Sequence, residues 1–438
     1  MHDWIIKGGR VVDPANQLDA TMDVAIADGR IAAVEDSIDQ SAARKVFDAG
    51  GKIVTPGLVD LHIHGYHLAT PLGIDVDHHC LGRGVTTAVD AGSAGCDTFA
   101  GLRTYVAERI KTRLLAFLNI SRAGLSFAGP SAGGIPGELD LMKLVVTEDC
   151  VECIEANRDL LIGVKIRLSE EIADEGRNEA ESYRRALEAA AAVKLPLMVH
   201  HTFSTVPLES CPGKMTTGDI YTHMMMGYKS TIVDPEKRCV QPVVREARER
   251  GVLFDIGHGL GSFSWPTAEV CADEQFWPDT ISTDLYSLSW DGPAYDLPTV
   301  MSKLLHLGMP LGEVIKATTI APARAIGWSD RIGTLDLGRE ADVTVLNLDV
   351  VDVEMEDCQA HMRGLRQRLT ADAVWRAGEP GAITQPPRWP NRERIAEWEA
   401  WRPFLVVRAG AIRGVDVDAP KGIWEDPSMR GVPKSGPM

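Results

Sequence analysis

The stretch IVTPGLVDLHIHGYH, residues 53–67, carries the reading of the whole chain. An apolar run ends in His62 and His64, and His67 follows after a glycine and a tyrosine. Side chains alternate between the two faces of a β-strand, so His62 and His64 project to the same side. Such a pair at a strand end is either the start of a metal site or two histidines satisfied by ordinary packing. What decides is whether later segments bring further ligands to the same place. His67 lies past the turn, off the strand, and stays outside the metal set.

Outward from this stretch, short apolar runs alternate with helical patterns between about residues 55 and 330. The runs are GLVDLHIH, GVTTAVDAGS, RLLAFLNIS, LIGVKIRLS, LPLMVHHT, GDIYTHMM, GVLFDIGHG and TISTDLYS. FAGLRTYVAERIKT, AESYRRALEAAAAVK and VVREARERG are among the helical stretches between them. Eight strands in βα alternation point to an α/β fold of the (β/α)8 TIM-barrel type. An open doubly wound sheet usually has fewer strands and a GxGxxG turn after the first, and no turn here has that pattern. The first ~50 residues instead read as short strands with turn signals, including an Asp-Gly hairpin in IADGRI. Too few to stand alone, they need partners, and the candidates are GTLDLGREADVTVLNL (333–348) and DAVWRAGEP (372–380). The expected organisation is a small β-sandwich domain from both chain ends (1–54 and 331–384) and a barrel over 55–330. A C-terminal helix at RERIAEWEAW and an extended tail would fill 385–438. The Gly- and Pro-rich segment 122–140 follows the third strand, on the face where a barrel builds its active site.

Composition narrows the function. A net charge of −17 with no basic run argues against nucleic-acid binding. No segment reaches ~18 uncharged apolar residues, so no membrane span is expected. MHDWIIKGGR lacks the pattern of a secretion signal, and eight scattered cysteines suit a reducing compartment, so a cytoplasmic protein is expected. The one CxxC, Cys150 and Cys153, has no second pair and reads as ordinary helix. The implied partner is a small-molecule substrate, with a homo-oligomer open.

In a barrel the C-terminal strand ends converge on one point. Those ends carry His62 and His64, Lys165, His200 and His201, His223, His258 and Asp284. Six of the chain's 12 histidines therefore fall where an active site would be. Any one of them could be structural; the set is harder to explain that way. Imidazole and carboxylate suit Zn²⁺ and similar ions. Lys165 either snorkels to solvent or is a neutral amine that reacts with carbon dioxide to give a carbamate. Asp284 either caps the following helix or binds metal and accepts a proton from water.

VTPGLVDLHIH, a mid-chain lysine, two later strand-end histidines and a final STD resemble the amidohydrolase superfamily over nearly the whole chain. AGSAGCDTFAGLR, LNISRAGL, GVKIRLS, GDIYTHMMMG, FDIGHGLGSFSW and ISTDLY, in that order, resemble its amidohydrolase/deacetylase branch. The resemblance implies two divalent metal ions, usually zinc. His62 and His64 would bind the more buried one with Asp284 axial. Lys165, as N6-carboxylysine, would bridge the pair, and His200 and His223 would hold the second. A metal-bridging hydroxide would cleave an amide or ester (acetyl) bond of a small carboxylate-bearing compound, with Asp284 passing the proton to the leaving group. Alignment of LMVH favours His200 over His201. His258 reads as a substrate-side residue, or else as a packed histidine fixing a Gly-rich turn. Substrate contacts are assigned to Tyr66, Arg122, Arg167 and Tyr286; Arg and aromatic groups suit a carboxylate and an apolar body. Arg167 could instead be tied up in an ion pair. Lys229, Phe263, Trp265 and Trp290 are further loop candidates. A cyclic amidase of dihydroorotase or hydantoinase type shares the ligand set. A deaminase is disfavoured, because the first Glu comes nine residues after His200. A catalytically silent scaffold would lack ligands, and all six positions are filled.

Overall fold

The structure is a computed structural model and describes residues 1–127, 137–393 and 424. Residues 128–136 of the Gly- and Pro-rich segment, the expected C-terminal helix after 393 and nearly all of the expected tail lie outside the described residues.

The chain starts with five strands: β1 (His2–Asp13), β2 (Leu18–Ala27), β3 (Arg30–Glu35), β4 (Ala43–Asp48) and β5 (Ile53–Pro56). The Asp28-Gly29 turn joins β2 to β3, with both residues in the left-handed region (φ 50° and 72°) as a two-residue hairpin requires. Next come β6 (Leu58–Ile63), β7 (Val85–Ala91), β8 (Arg113–Asn119), β9 (Leu161–Leu168), β10 (Leu197–His201) and β11 (Ile220–Thr222). A two-residue ladder, β12 (Val233–Asp234) with β13 (Cys239–Val240), interrupts the loop before β14 (Leu253–Phe254). The chain then returns to β15 (Val343–Glu356), β16 (Met362–Arg376) and β17 (Glu379–Gly381).

Two sheets result. The seven strands β6 to β11 and β14 form a parallel sheet in the order β14-β11-β10-β9-β8-β7-β6. Every residue of β6, β7 and β8 is buried, as strands covered on both faces require. Residues 280–285 lie between the two sheet edges: Thr280 bridges Asp255 and Leu285 bridges Ile63, both parallel. This is the expected eighth run; Ser282 O and Thr283 O within it also accept from His258 N (3.3 Å) and Gly259 N (2.8 Å). Helices Thr147–Ala156, Glu179–Val193, Pro242–Glu249 and Leu297–His306 alternate with the strands.

The second sheet is mixed and takes strands from both chain ends, in the order β17-β16-β15-β5-β1-β2-β3, with β4 beside β1. A two-sheet sandwich was expected; the hydrogen bonds link all eight strands into one sheet. β5 is the reason, since it pairs with β1 on one side and β15 on the other. Both C-terminal stretches join this sheet with shifted bounds. Residues 333–342 hold bends and a turn with one isolated bridge, Glu340 to Arg30, and the hairpin β15–β16 runs through 343–376, so it overlaps the expected 333–348 and 372–380 only at its ends.

Candidate metal centre

The strand ends converge as their alternation requires. His62 and His64 leave the same face of β6 and its end, 5.6 Å apart between ring centroids. Asp284 Oδ1 lies 3.3 Å from His62 Nε2 and 3.2 Å from His64 Nε2. These three side chains form a compact group able to hold a cation. Lys165, fully buried on β9, places Nζ 3.3 Å from His62 Nε2. His223 lies 5.2 Å from His62 between ring centroids, and its Nε2 is 2.7 Å from His200 Nδ1. All six expected ligand positions therefore meet in one place.

Hydrogen bonds fix which nitrogen carries the proton in two of the rings, His62 and His223. Asp255 accepts from Thr280 at 2.7 Å, Ser282 at 2.6 Å and Thr222 at 2.8 Å. The Thr222 hydroxyl proton is thus committed, and its oxygen accepts from His62 Nδ1 at 3.1 Å. The His62 lone pair is left on Nε2, facing Asp284. His223 Nδ1 donates to Gly257 O at 2.6 Å, which likewise frees its Nε2. His64 Nδ1 is 3.0 Å from Ser93 Oγ. This arrangement, each ring held by one nitrogen with the other turned inward, is how metal-binding histidines are oriented.

The electrostatics fit the same purpose. Burial, with repulsion from Lys165 and the neighbouring rings, holds His62 well below the usual imidazole range. Burial and His223 do the same to His200, and burial lowers His223 to about 4. The rings are neutral at pH 7 and able to bind metal. Burial also lowers Lys165 to about 7, against the pull of Asp284. Asp284 Oδ1 is buried and, among the described residues, accepts no hydrogen bond, which is costly for a carboxylate unless a cation completes it. His223 (φ 70°) and Asp284 (φ 46°) both hold left-handed backbone, a strained state found at functional sites. The donor set and the orphaned oxygen fit divalent metal.

The tandem histidines part company. His200 faces His223, whereas His201 is turned away between Tyr221 Oη (3.0 Å) and Val206 O (2.8 Å). Several other candidates are held by partners of their own. His258 is fully buried, with Nε2 2.8 Å from Lys303 Nζ. Arg122 is spent on ion pairs with Asp97 (2.7 Å) and Asp149. Tyr66 donates to Thr98 O at 3.0 Å, away from the ligands. Lys229 pairs with Glu170 at 2.9 Å. Phe263 and Trp265 are core residues, and Trp290 packs on His79, so no aromatic wall forms from them. Arg167 forms a bidentate pair with buried Glu138 (2.5 and 2.8 Å), yet its charge still acts on His200. Tyr286 stays beside the site, 6.1 Å from His64 between ring centroids.

Sequence reading missed the carboxylates beneath the rings. Asp60 accepts from Thr283 N and Oγ1 at 3.0 and 2.7 Å, and Asp90 accepts from Gly65 N and Ser93 N at 2.8 and 2.7 Å. Burial raises Asp60 to about 7 and pushes Asp90 and Asp255 up as well. Their signal was present: a lone acid inside each of the apolar runs LVDL, TAVDAG and LFDIG.

Residues 271–380 match the family model described as the amidohydrolase family. A deacetylase of Agrobacterium fabrum is 35% identical over 340 residues, 78% of this chain and 81% of its own. A deacetylase of Brucella anthropi is 35% identical over 80% of this chain and 85% of its own. Among solved structures, a dihydroorotase has a TM-score of 0.79 at 31% identity, covering 89% of this chain and 100% of that one. An adenine deaminase has a TM-score of 0.78 at 28% identity, covering 87% and 99%.

Proposed function

This chain belongs to the amidohydrolase family and is a hydrolase, and from that premise we propose that it is a metal-dependent deacetylase. Its substrate would be an amide or ester of a small carboxylate-bearing compound. One observation carries the reading: the orphaned Asp284 Oδ1 beside the inward lone pairs of His62 and His64. The two deacetylases, similar over most of their length, supply the reaction class.

In this reading His62, His64 and Asp284 hold one divalent ion and His200 and His223 a second. Lys165, carboxylated on its near-neutral amine, serves both. Zinc suits these nitrogen and oxygen donors. Divalent ions held there would supply polarisation of a carbonyl and a source of hydroxide near pH 7. Asp284 takes the proton of the attacking water and returns it to the leaving nitrogen or oxygen. Tyr286 lines the site, and Arg167 is the cation within reach of a substrate carboxylate. In the same reading residues 280–285 complete a (β/α)8 barrel over 55–330. The mixed sheet from 1–54 and 331–384 forms a second domain; most of 385–438 lies outside the described residues. A cytoplasmic home, a small-molecule substrate and a possible homo-oligomer complete the proposal. Among the described residues no helix is long and apolar enough to cross a membrane.

The test is a hydrolysis screen of zinc-loaded protein against N-acetyl amino acids, O-acetyl hydroxy acids, hydantoins, dihydroorotate and adenine. Acetate release is expected. Ring opening alone would favour a cyclic amidase, which the likeness to a dihydroorotase keeps in view. Binding of less than one ion per chain would overturn the metal reading.

A further inference from the structure

One buried cation has no part in the chemistry above. Lys303, on the helix Leu297–His306, is fully buried. Its ammonium donates to Glu356 O at 2.7 Å, to Pro293 O at 3.0 Å and to His258 Nε2 at 2.8 Å. Three donors meet three neutral acceptors. His258 Nδ1 lies 2.9 Å from Gly259 O, which only accepts, so Nδ1 carries the proton and Nε2 the lone pair. The ring stacks on Phe263 at 4.6 Å and 10°. One tautomer and one orientation are therefore locked. Through them the 257–259 turn is tied to the helix and, at Glu356, to the end of β15.

That same turn faces the metal ligands. Gly257 O is the acceptor that orients His223, at 2.6 Å. Gly259 packs against Asp284 so closely that a Cβ there would sit 2.4 Å from Oδ2. Movement of the turn would thus misdirect both the His223 lone pair and the Asp284 carboxylate. A buried ammonium is a costly way to fasten a loop that an apolar side chain could pack against. Here the cost coincides with control of two ligands.

We propose that Lys303 is a positioning residue for the metal centre: through His258 it holds the Gly257–Gly259 turn in the place that aims His223 and Asp284. Lys303 contacts neither ligand, so its effect is indirect, and the proposal rests on the metal-dependent reading above.

The experiment compares Lys303→Met, His258→Leu and His258→Gln with the unaltered protein. Zinc affinity is read by competition with a chromophoric chelator, starting from metal-free protein whose fold is checked by circular dichroism. Lys303→Met and His258→Leu are expected to bind zinc about 10–100-fold more weakly, the usual consequence of losing a group that orients a ligand. Their kcat should fall with KM unchanged. His258→Gln, which keeps an acceptor for the ammonium, should recover most of both. Folded variants with unaltered zinc affinity and kcat would overturn the proposal, as would equal losses in His258→Leu and His258→Gln. If Lys303→Met does not fold, the His258 pair decides alone. If the unaltered protein binds no zinc in the same assay, it is the metal reading that fails.

Discussion

Lys165 concentrates the residue-scale consequences. Its amine must be neutral to capture carbon dioxide, and burial brings it to about 7. Reconstitution of metal-free protein with zinc and bicarbonate should therefore give clearly more activity at pH 8 than at pH 6. Equal yields would argue against a carbamate. Lys165→Ala should lose at least ~10³-fold in kcat, with partial return on adding a short carboxylic acid, since one route to the chemical step then lacks its bridging group. The histidines make a second pH prediction. His223 stays neutral down to about 4 when folded, and His62 and His200 are also held low. In the unfolded chain such rings protonate near the ordinary ~6.5. Between those limits the unfolded state binds more protons, so stability falls as pH falls. Metal-free protein should lose on the order of a few kcal/mol between pH 7 and pH 4, measured by urea unfolding, and His223→Asn should flatten that slope. At this scale the sequence was most legible where strand alternation alone decides direction, as for His62 and His64. The choice between His200 and His201 came from alignment of LMVH; the partners of each ring, His223 and Tyr221, were not visible.

At the scale of elements, the candidate ligands are held by strands or by the residue just past a strand end: His62, Lys165 and His200 lie in β6, β9 and β10, and His64 and His223 directly follow β6 and β11. β7 contributes by giving way: Gly92 at its end has φ 84°, and a Cβ there would lie 2.6 Å from Lys165 Cγ. Gly92→Ala should cost roughly 1–3 kcal/mol, from left-handed backbone and overpacking together. Zinc content should fall with it; a variant of full stability and full metal content would show that the lysine has room to shift. The apolar runs that became β6 to β10 were legible because parallel strands buried on both faces are continuously hydrophobic. Of the hairpin β15–β16 only the ends, 343–348 and 372–376, were legible. Residues 349–370 alternate exposed charges with partly buried positions and include the wholly exposed Val350, so no apolar run announces them. Yet this hairpin carries Glu356 O to Lys303, and the turn after it places Cys358 N 3.0 Å from Phe263 O. The loop after β14 was read as substrate-facing for the same reason: the segments that cover Phe263 and Trp265 come from ~90 residues away.

At the scale of the molecule, the mixed sheet and the parallel sheet are joined by buried polar contacts as well as by packing. Arg113 at the start of β8 reaches Asp342 at 2.6 Å and Thr87 at 2.9 Å, and also pairs with Glu340. Arg113→Met would leave Asp342 buried without its cation and should cost about 3–5 kcal/mol in chemical denaturation. Adding Asp342→Leu should return only part of this, because Asp342 Oδ1 also accepts from Ala377 N at 2.8 Å. A loss below ~1 kcal/mol would show that the joint does not depend on this pair. The sequence by itself determined which residue types stand at which strand ends, and hence the candidate ligands and the βα alternation, because strand period and burial are local properties of the chain. Tertiary structure alone decided what each long side chain does. Arg122 and Arg167 are claimed by Asp97, Asp149 and Glu138, His258 by Lys303, and the Asp284 Oδ1 beside His62 and His64 by no hydrogen-bond donor among the described residues. A charged or imidazole group takes its direction from the partners that distant segments bring within hydrogen-bond reach, and spacing along the chain does not record them.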